Sequence, residues 1–112
     1  MPRIVLCEFS QLDDPGSMGI IVNTARGQQE LFVVRNNNRC HAYFNSCPHT
    51  GAPLNWQDHR FLNYDKTLIM CSLHGAQFRI SDGRCLHGPC VGAHLSRIDT
   101  EIDNGIVYWL NS

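Results

Sequence analysis

Glu30-Leu-Phe-Val-Val-Arg-Asn-Asn-Asn-Arg-Cys-His-Ala-Tyr-Phe44 is two short runs of β-branched and aromatic residues around an asparagine cluster. Such residues suit a pleated, half-buried surface, and Asn supplies turn chemistry, so the stretch reads as a β-hairpin. The same style extends in both directions. Upstream lie Arg3 to Phe9 and Gly19 to Asn23, separated by Asp13-Asp-Pro-Gly16 and followed by Ala25-Arg-Gly27. Downstream lie Thr67 to Met70, Gln77 to Ile80, Leu95 to Ile98 and Ile106 to Leu110. Ser81-Asp-Gly83 and Asp103-Asn-Gly105 put Gly where a tight turn needs positive φ. Only Leu54 to Asn63 tempts a helix, and its apolar spacing is too irregular to support one. The reading is an all-β chain.

With 112 residues the chain has the length of one ordinary domain, and no repeat, low-complexity tract or linker divides it. Apolar residues make up 43% and charged ones 17%, enough for a core of its own. Nine Lys and Arg against ten Asp and Glu give a net charge of −1, without the basic excess that phosphate binding demands. Nucleic acid is therefore not an expected partner. No run matches a signal-peptide core or a membrane span, so the expectation is a cytoplasmic protein without a membrane partner. In a reducing compartment the six cysteines call for ligation or burial rather than a disulfide framework.

Cys47-Pro-His49-Thr-Gly-Ala52 and Cys71-Ser-Leu-His74-Gly-Ala76 stand apart from the strand pattern. Each offers one soft thiolate and one imidazole, and each continues into a Gly that lets backbone approach a bulky ligand. Residues 50–70 are long enough to leave one loop and return beside it. Two such loops can grip one metal centre.

Cys-x-His followed by Cys-x-x-His resembles the Rieske iron–sulfur family, in which two cysteines hold one iron of a [2Fe–2S] cluster and two histidines the other. The resemblance implies that Cys47 and Cys71 take the inner iron and His49 and His74 the outer one, with one cluster per chain. It covers most of the chain, because the early strands, a Gly88-Pro89 turn like the family's proline loop, and the closing strand all have counterparts. It implies the Rieske fold, an antiparallel β-sandwich or barrel base with a smaller cluster-binding subdomain from about Asn45 to Arg84, in a single domain over residues 1–112. The interval between ligand pairs is longer than usual in the family, and the excess is read in Trp56 to Tyr64.

Such a cluster is neutral when oxidised and singly negative when reduced, whereas an all-cysteine cluster carries two further negative charges. It is easier to reduce. The respiratory and photosynthetic members carry a disulfide from cysteines at the places held here by Ala52 and Leu73. High-potential members also have Ser and Tyr hydroxyls near the cluster, where this chain has Ala76 and Phe78. The resemblance thus implies a low potential and a role as the soluble ferredoxin component of an oxygenase system. Its donor would be a flavin-dependent reductase and its acceptor a terminal oxygenase. The chain is an electron-transfer component and not itself an enzyme.

Two other readings stay open: a subunit similar to the small subunit of assimilatory nitrite reductase, and a zinc-stabilised interaction module, since Cys2His2 is a legitimate zinc set. A nucleophilic pair, Cys47 with His49 or Cys71 with His74, is disfavoured because such partners seldom lie so close in sequence. Cys7 and Cys40 fall in strand patterns and read as core side chains. Cys85 and Cys90 bracket Leu86-His-Gly-Pro89 and read as buried thiols, with a disulfide as the alternative. His41, His59, His87 and His94 read as surface or half-buried residues. Trp56, Trp109, Phe44, Phe61 and Tyr108 read as packing rather than a base-stacking surface.

Overall fold

Strand β3 (Gly27–Asn36) organises the molecule because it buries both of its faces. Leu31 and Val33 enter one apolar cluster with Leu6, Ala42, Ile98 and Val107, while Phe32 and Val34 enter another with Tyr43, Phe61, Ile69 and Phe78. Alternate side chains of a strand point to opposite faces, so four apolar residues in a row serve two cores. The computed structural model describes residues 3–48, 50–55, 57–72 and 75–110.

Among the described residues the strands are β1 (Arg3–Glu8), β2 (Gly16–Thr24), β3, β4 (Arg39–Phe44), β5 (Leu68–Met70), β6 (Gln77–Arg79), β7 (Cys85–His87), β8 (Arg97–Ile98), β9 (Thr100–Asp103) and β10 (Ile106–Leu110). They form three antiparallel sheets, ordered β1-β10-β9, β2-β3-β4-β8 and β5-β6-β7. The sheet containing β3 shares one core with β1 and β10 and the other with β5, β6 and β7. Three layers result, with β3 in the middle one.

The turns explain the registers. Asn104 and Gly105 both adopt positive φ, +54° and +77°, and form a two-residue connection between Asp103 and Ile106. This is the turn whose twist matches that of the flanking strands. Asn37, at φ +60°, turns β3 into β4, whose register pairs Asn36 with Arg39.

Leu54 to Asn63 contains no helix among its described residues. Instead Leu62 forms a bridge with Ile69, and Met70 N–H donates to Phe61 O at 2.9 Å. The long interval is fastened to β2. Gly19 N–H donates to His59 Nδ1 at 3.0 Å, Ser17 Oγ donates to His59 O at 2.7 Å, and Phe61 N–H donates to Ser17 Oγ at 3.2 Å. Phe61 stacks on Phe32 with centroids 4.3 Å apart and planes 8° from parallel. The interval thus ends as an integral wall of the second core, and no helix among the described residues is long and apolar enough to cross a membrane.

Candidate metal centre

The two loops singled out by their Cys and His residues are built alike. Cys47 N–H donates to Ala52 O at 2.8 Å, and Gly51 N–H donates back to Cys47 O at 2.7 Å. Cys71 N–H donates to Ala76 O at 2.8 Å, and Gly75 N–H donates to Cys71 O at 2.9 Å. Gly51 and Gly75 hold φ of +77° and +70°, a region costly for any residue with a Cβ. Chain neighbours aside, a Cβ built on either would meet nothing within 4 Å among the described residues. Their backbone conformation is by itself a reason for glycine at these two positions. The shared spacing, Cys then Gly four residues on and Ala five on, was available in the sequence as a sign of one turn used twice.

Direct bonds join the loops. Ser72 N–H, next to the second cysteine, donates to Leu54 O at 2.9 Å, just past the end of the first loop. Asn45 secures that end: its Oδ1 accepts from Leu54 N–H at 2.8 Å and its Nδ2 donates to Asn55 Oδ1 at 2.9 Å. Asn45 was legible in sequence only as a boundary, because nothing local announces an amide that reaches nine residues ahead.

Cys47 and Cys71 are buried, at 1% and 0% exposure, in the core cluster that also holds Ala76, Phe78 and Cys85. His49 and His74 lie outside the described residues, as do Leu73 and Trp56. Among the described residues no group of three or more His, Cys, Asp or Glu gathers as metal donors. The chemistry of the cysteine pair still discriminates. Two soft sulfur donors, walled by apolar side chains and presented by equivalent turns, fit an iron–sulfur centre and exclude water from its inner side.

A third element closes over the loops. Gly88, at φ +102°, lies so near the second loop that a Cβ there would stand 2.7 Å from Ala76 Cα. The Gly88-Pro89 turn therefore leans on that loop, as the sequence suggested. On either side of this turn, Cys90 Sγ stands 3.1 Å from Cys85 Sγ. Burial, the contact with Cys85, and more weakly the Cys47 and Cys71 sulfurs push the Cys90 thiol up to about 12. Among the other histidines, His87 and His94 are exposed, and His41 on β4 is half-buried. Cys7 is buried and Cys40 packs on the same core, which agrees with their reading as apolar side chains.

Comparison with known proteins bears on both fold and site. The Rieske [2Fe-2S] domain family matches residues 3–102. No curated protein matches by sequence. Solved structures similar in fold include the ferredoxin of carbazole 1,9a-dioxygenase from Nocardioides aromaticivorans IC177, at 20% identity and TM-score 0.76 over 100% of both chains. The Sphingomonas yanoikuyae B1 ferredoxin matches at 22% identity and TM-score 0.77 over 99% of this chain and 100% of that one. A complex of reduced oxygenase and oxidised ferredoxin in carbazole 1,9a-dioxygenase contains a chain at 23% identity and TM-score 0.74, covering 96% of this chain and 91% of its own. Twin cysteine loops under a Gly-Pro turn and a family match across nearly the whole length lead to one assignment: the chain belongs to the Rieske [2Fe–2S] domain family, with one [2Fe–2S] cluster per chain.

Proposed function

We propose that the protein is a one-electron carrier, the ferredoxin component of an oxygenase system, and not itself an enzyme. Cys47 and Cys71 would hold one iron, and His49 and His74 the other. When bound, the [2Fe–2S] cluster supplies reversible one-electron exchange at a centre softer to reduce than an all-cysteine one. The carrying observation is the equivalence of the two loops, with matching backbone hydrogen bonds around two buried cysteines.

The chain's own residues then set the conditions. The paired turns hold both cysteines in place through backbone hydrogen bonds. The apolar wall of Ala76, Phe78 and Leu54 keeps water from the cysteine side. The reading treats residues 1–112 as one domain with a cluster-binding subdomain from about Asn45 to Arg84. Sheet β5-β6-β7 supports it, being packed around the two loops. A terminal oxygenase as acceptor is supported by the complex of oxygenase and ferredoxin that contains a chain of this fold. A flavin-dependent reductase is the donor that this role requires. A cytoplasmic location suits a site that needs free thiolates.

Reduced protein is expected to give the electron-paramagnetic-resonance signal of a mixed nitrogen and sulfur ligated [2Fe–2S] cluster, with two irons and two sulfides per chain. Replacing His49→Cys or His74→Cys should lower the midpoint or abolish the cluster while the β-sandwich base stays folded. Stoichiometric zinc without iron or sulfide, or an unchanged spectrum and midpoint in both variants, would overturn the assignment.

A further inference from the structure

Cys85 and Cys90 take no part in the ligand set, yet they form the closest sulfur pair recorded among the described residues. Cys85 ends buried in β7, at 0% exposure, and Cys90 is partly exposed on the far side of the Gly88-Pro89 turn. The turn folds back because Gly92 N–H donates to Cys85 O at 3.1 Å, Cys85 N–H donates to Ala93 O at 2.8 Å, and Ala93 N–H donates to Cys90 O at 2.9 Å. The thiols are ordered in series. Cys90 donates to Cys85 Sγ at 3.1 Å, and Cys85 donates to His87 O at 3.2 Å.

That separation exceeds a covalent S–S bond by about 1 Å. Closing the gap from the Cys85 side would disturb β7 and the packed Gly88, whose position against Ala76 leaves no slack. From the Cys90 side only a partly buried side chain outside any strand has to turn. The accessible sulfur is thus the one free to move, and the buried sulfur waits at contact distance. This is the geometry of an attacking and a resolving cysteine; burial disfavours the Cys90 thiolate, so the exchange is slow and is read at equilibrium.

We propose that Cys85 and Cys90 are a redox-active dithiol, which a low-molecular-weight disulfide converts to an intrachain disulfide beside the cluster loops. Cys90 sulfur attacks one sulfur of the small disulfide, and its own proton leaves with the expelled thiol. Cys85 sulfur then attacks Cys90 sulfur and expels the second small thiol. Two S–H bonds and the small S–S bond break, and one protein S–S bond and two small-molecule S–H bonds form. Two electrons and two protons pass from protein to the small disulfide. In a reducing compartment such a bond is transient and reports the thiol balance.

The test equilibrates holoprotein, without oxygen, in mixtures of oxidised and reduced glutathione, followed by denaturation, alkylation with N-ethylmaleimide and cleavage at Arg84 and Arg97. Oxidising mixtures should yield peptide 85–97 lighter by two hydrogens and unalkylated, while the visible absorbance of the cluster stays unchanged. Cys85→Ser should stop at one glutathione on Cys90, and in Cys90→Ser the buried Cys85 should remain fully alkylatable. Peptide 85–97 doubly alkylated at every ratio, or closing only as the cluster absorbance is lost, would overturn the proposal. The wild-type peptide mass decides this even if a variant fails to fold, and a missing iron–sulfur signal would count against the carrier reading separately.

Discussion

The Tyr43 hydroxyl donates to the Ile80 carbonyl, so one phenol links β4 of the middle sheet to the turn that ends β6. Gly83 makes room for the ring: a Cβ there would stand 2.8 Å from Tyr43 Cε1. Tyr43→Phe would leave that carbonyl buried without its donor, at a cost of about 1–3 kcal/mol. Burial also pushes the phenol from 10 up to about 12, with Asp82 adding to it and Arg97 opposing. The folded state holds this proton more tightly than the unfolded one. The contribution is therefore complete below about pH 10 and is lost as pH rises towards 12. Cys40, likewise pushed up to about 12 by burial, adds to the alkaline loss from the other core. Urea midpoints should fall between about pH 8 and 11 in the wild type and fall less in Tyr43→Phe. Equal losses in both would refute the phenol's part.

Gly88 and Gly92 offer a matched comparison. Both adopt positive φ, +102° and +92°, so alanine is strained at either, by about 1–3 kcal/mol. Only at position 88 does the added methyl meet backbone, 2.7 Å from Ala76 Cα, in the loop whose Ala76 carbonyl accepts from Cys71 N–H. Gly88→Ala should therefore cost about 1–3 kcal/mol more than Gly92→Ala. It should also shed the cluster's visible absorbance faster under a chelator. Identical unfolding midpoints and loss rates would mean that the turn does not brace the second loop.

Sequence reached the strands and turns whose cause is local. β3, β4 and the Asn104-Gly105 turn follow from β-branched runs and from residues that tolerate positive φ. Two strands escaped it. β7 is only three residues, Cys-Leu-His, too short for a period to appear. β9 reads Thr-Glu-Ile-Asp, polar and mostly exposed, and its Glu101 and Asp103 meet Arg3 at 3.3 and 3.0 Å. Its place at the edge of the sheet comes from the ladder with β10 across the Asn104-Gly105 turn, and not from any apolar pattern of its own. At the site, the ligand types and spacing were readable because chemistry fixes them. Asn45 and His59 were not, since each acts on backbone brought near only by the finished fold.

The midpoint potential should lie at the low end of the Rieske range, about −150 mV or below. Hydrogen-bond donors close to a cluster stabilise its added negative charge and raise the potential. Ala76 and Phe78 are both fully buried in the core that holds the two cysteines, and neither side chain has a donor. Ala76→Ser and Phe78→Tyr place hydroxyls at those two positions and should each shift the midpoint upward. A spectroelectrochemical titration checks all three proteins. A clearly positive wild-type value would contradict the reading of these positions.

His41 gives the acid side of the stability profile. On β4 opposite Val34 it is half-buried, and burial first, then the nearby Arg97 and Arg39 cations, push its imidazole below 6.5. The fold therefore prefers the neutral ring, while the unfolded chain takes up a proton as pH drops past about 6.5. Its contribution is complete above that pH and declines as pH falls towards the lower folded value, at no more than about 1.4 kcal/mol per pH unit. Asp82, held well below the carboxylate range by Arg79 and the Arg84 N–H, acts in a separate window, below about pH 4. Urea midpoints at about pH 7.5 and 5 should drop in the wild type and drop less in His41→Gln. All other groups are common to the two proteins, so the difference isolates His41. If the two profiles run parallel, the cationic surroundings of this ring play no part in the acid sensitivity of the fold.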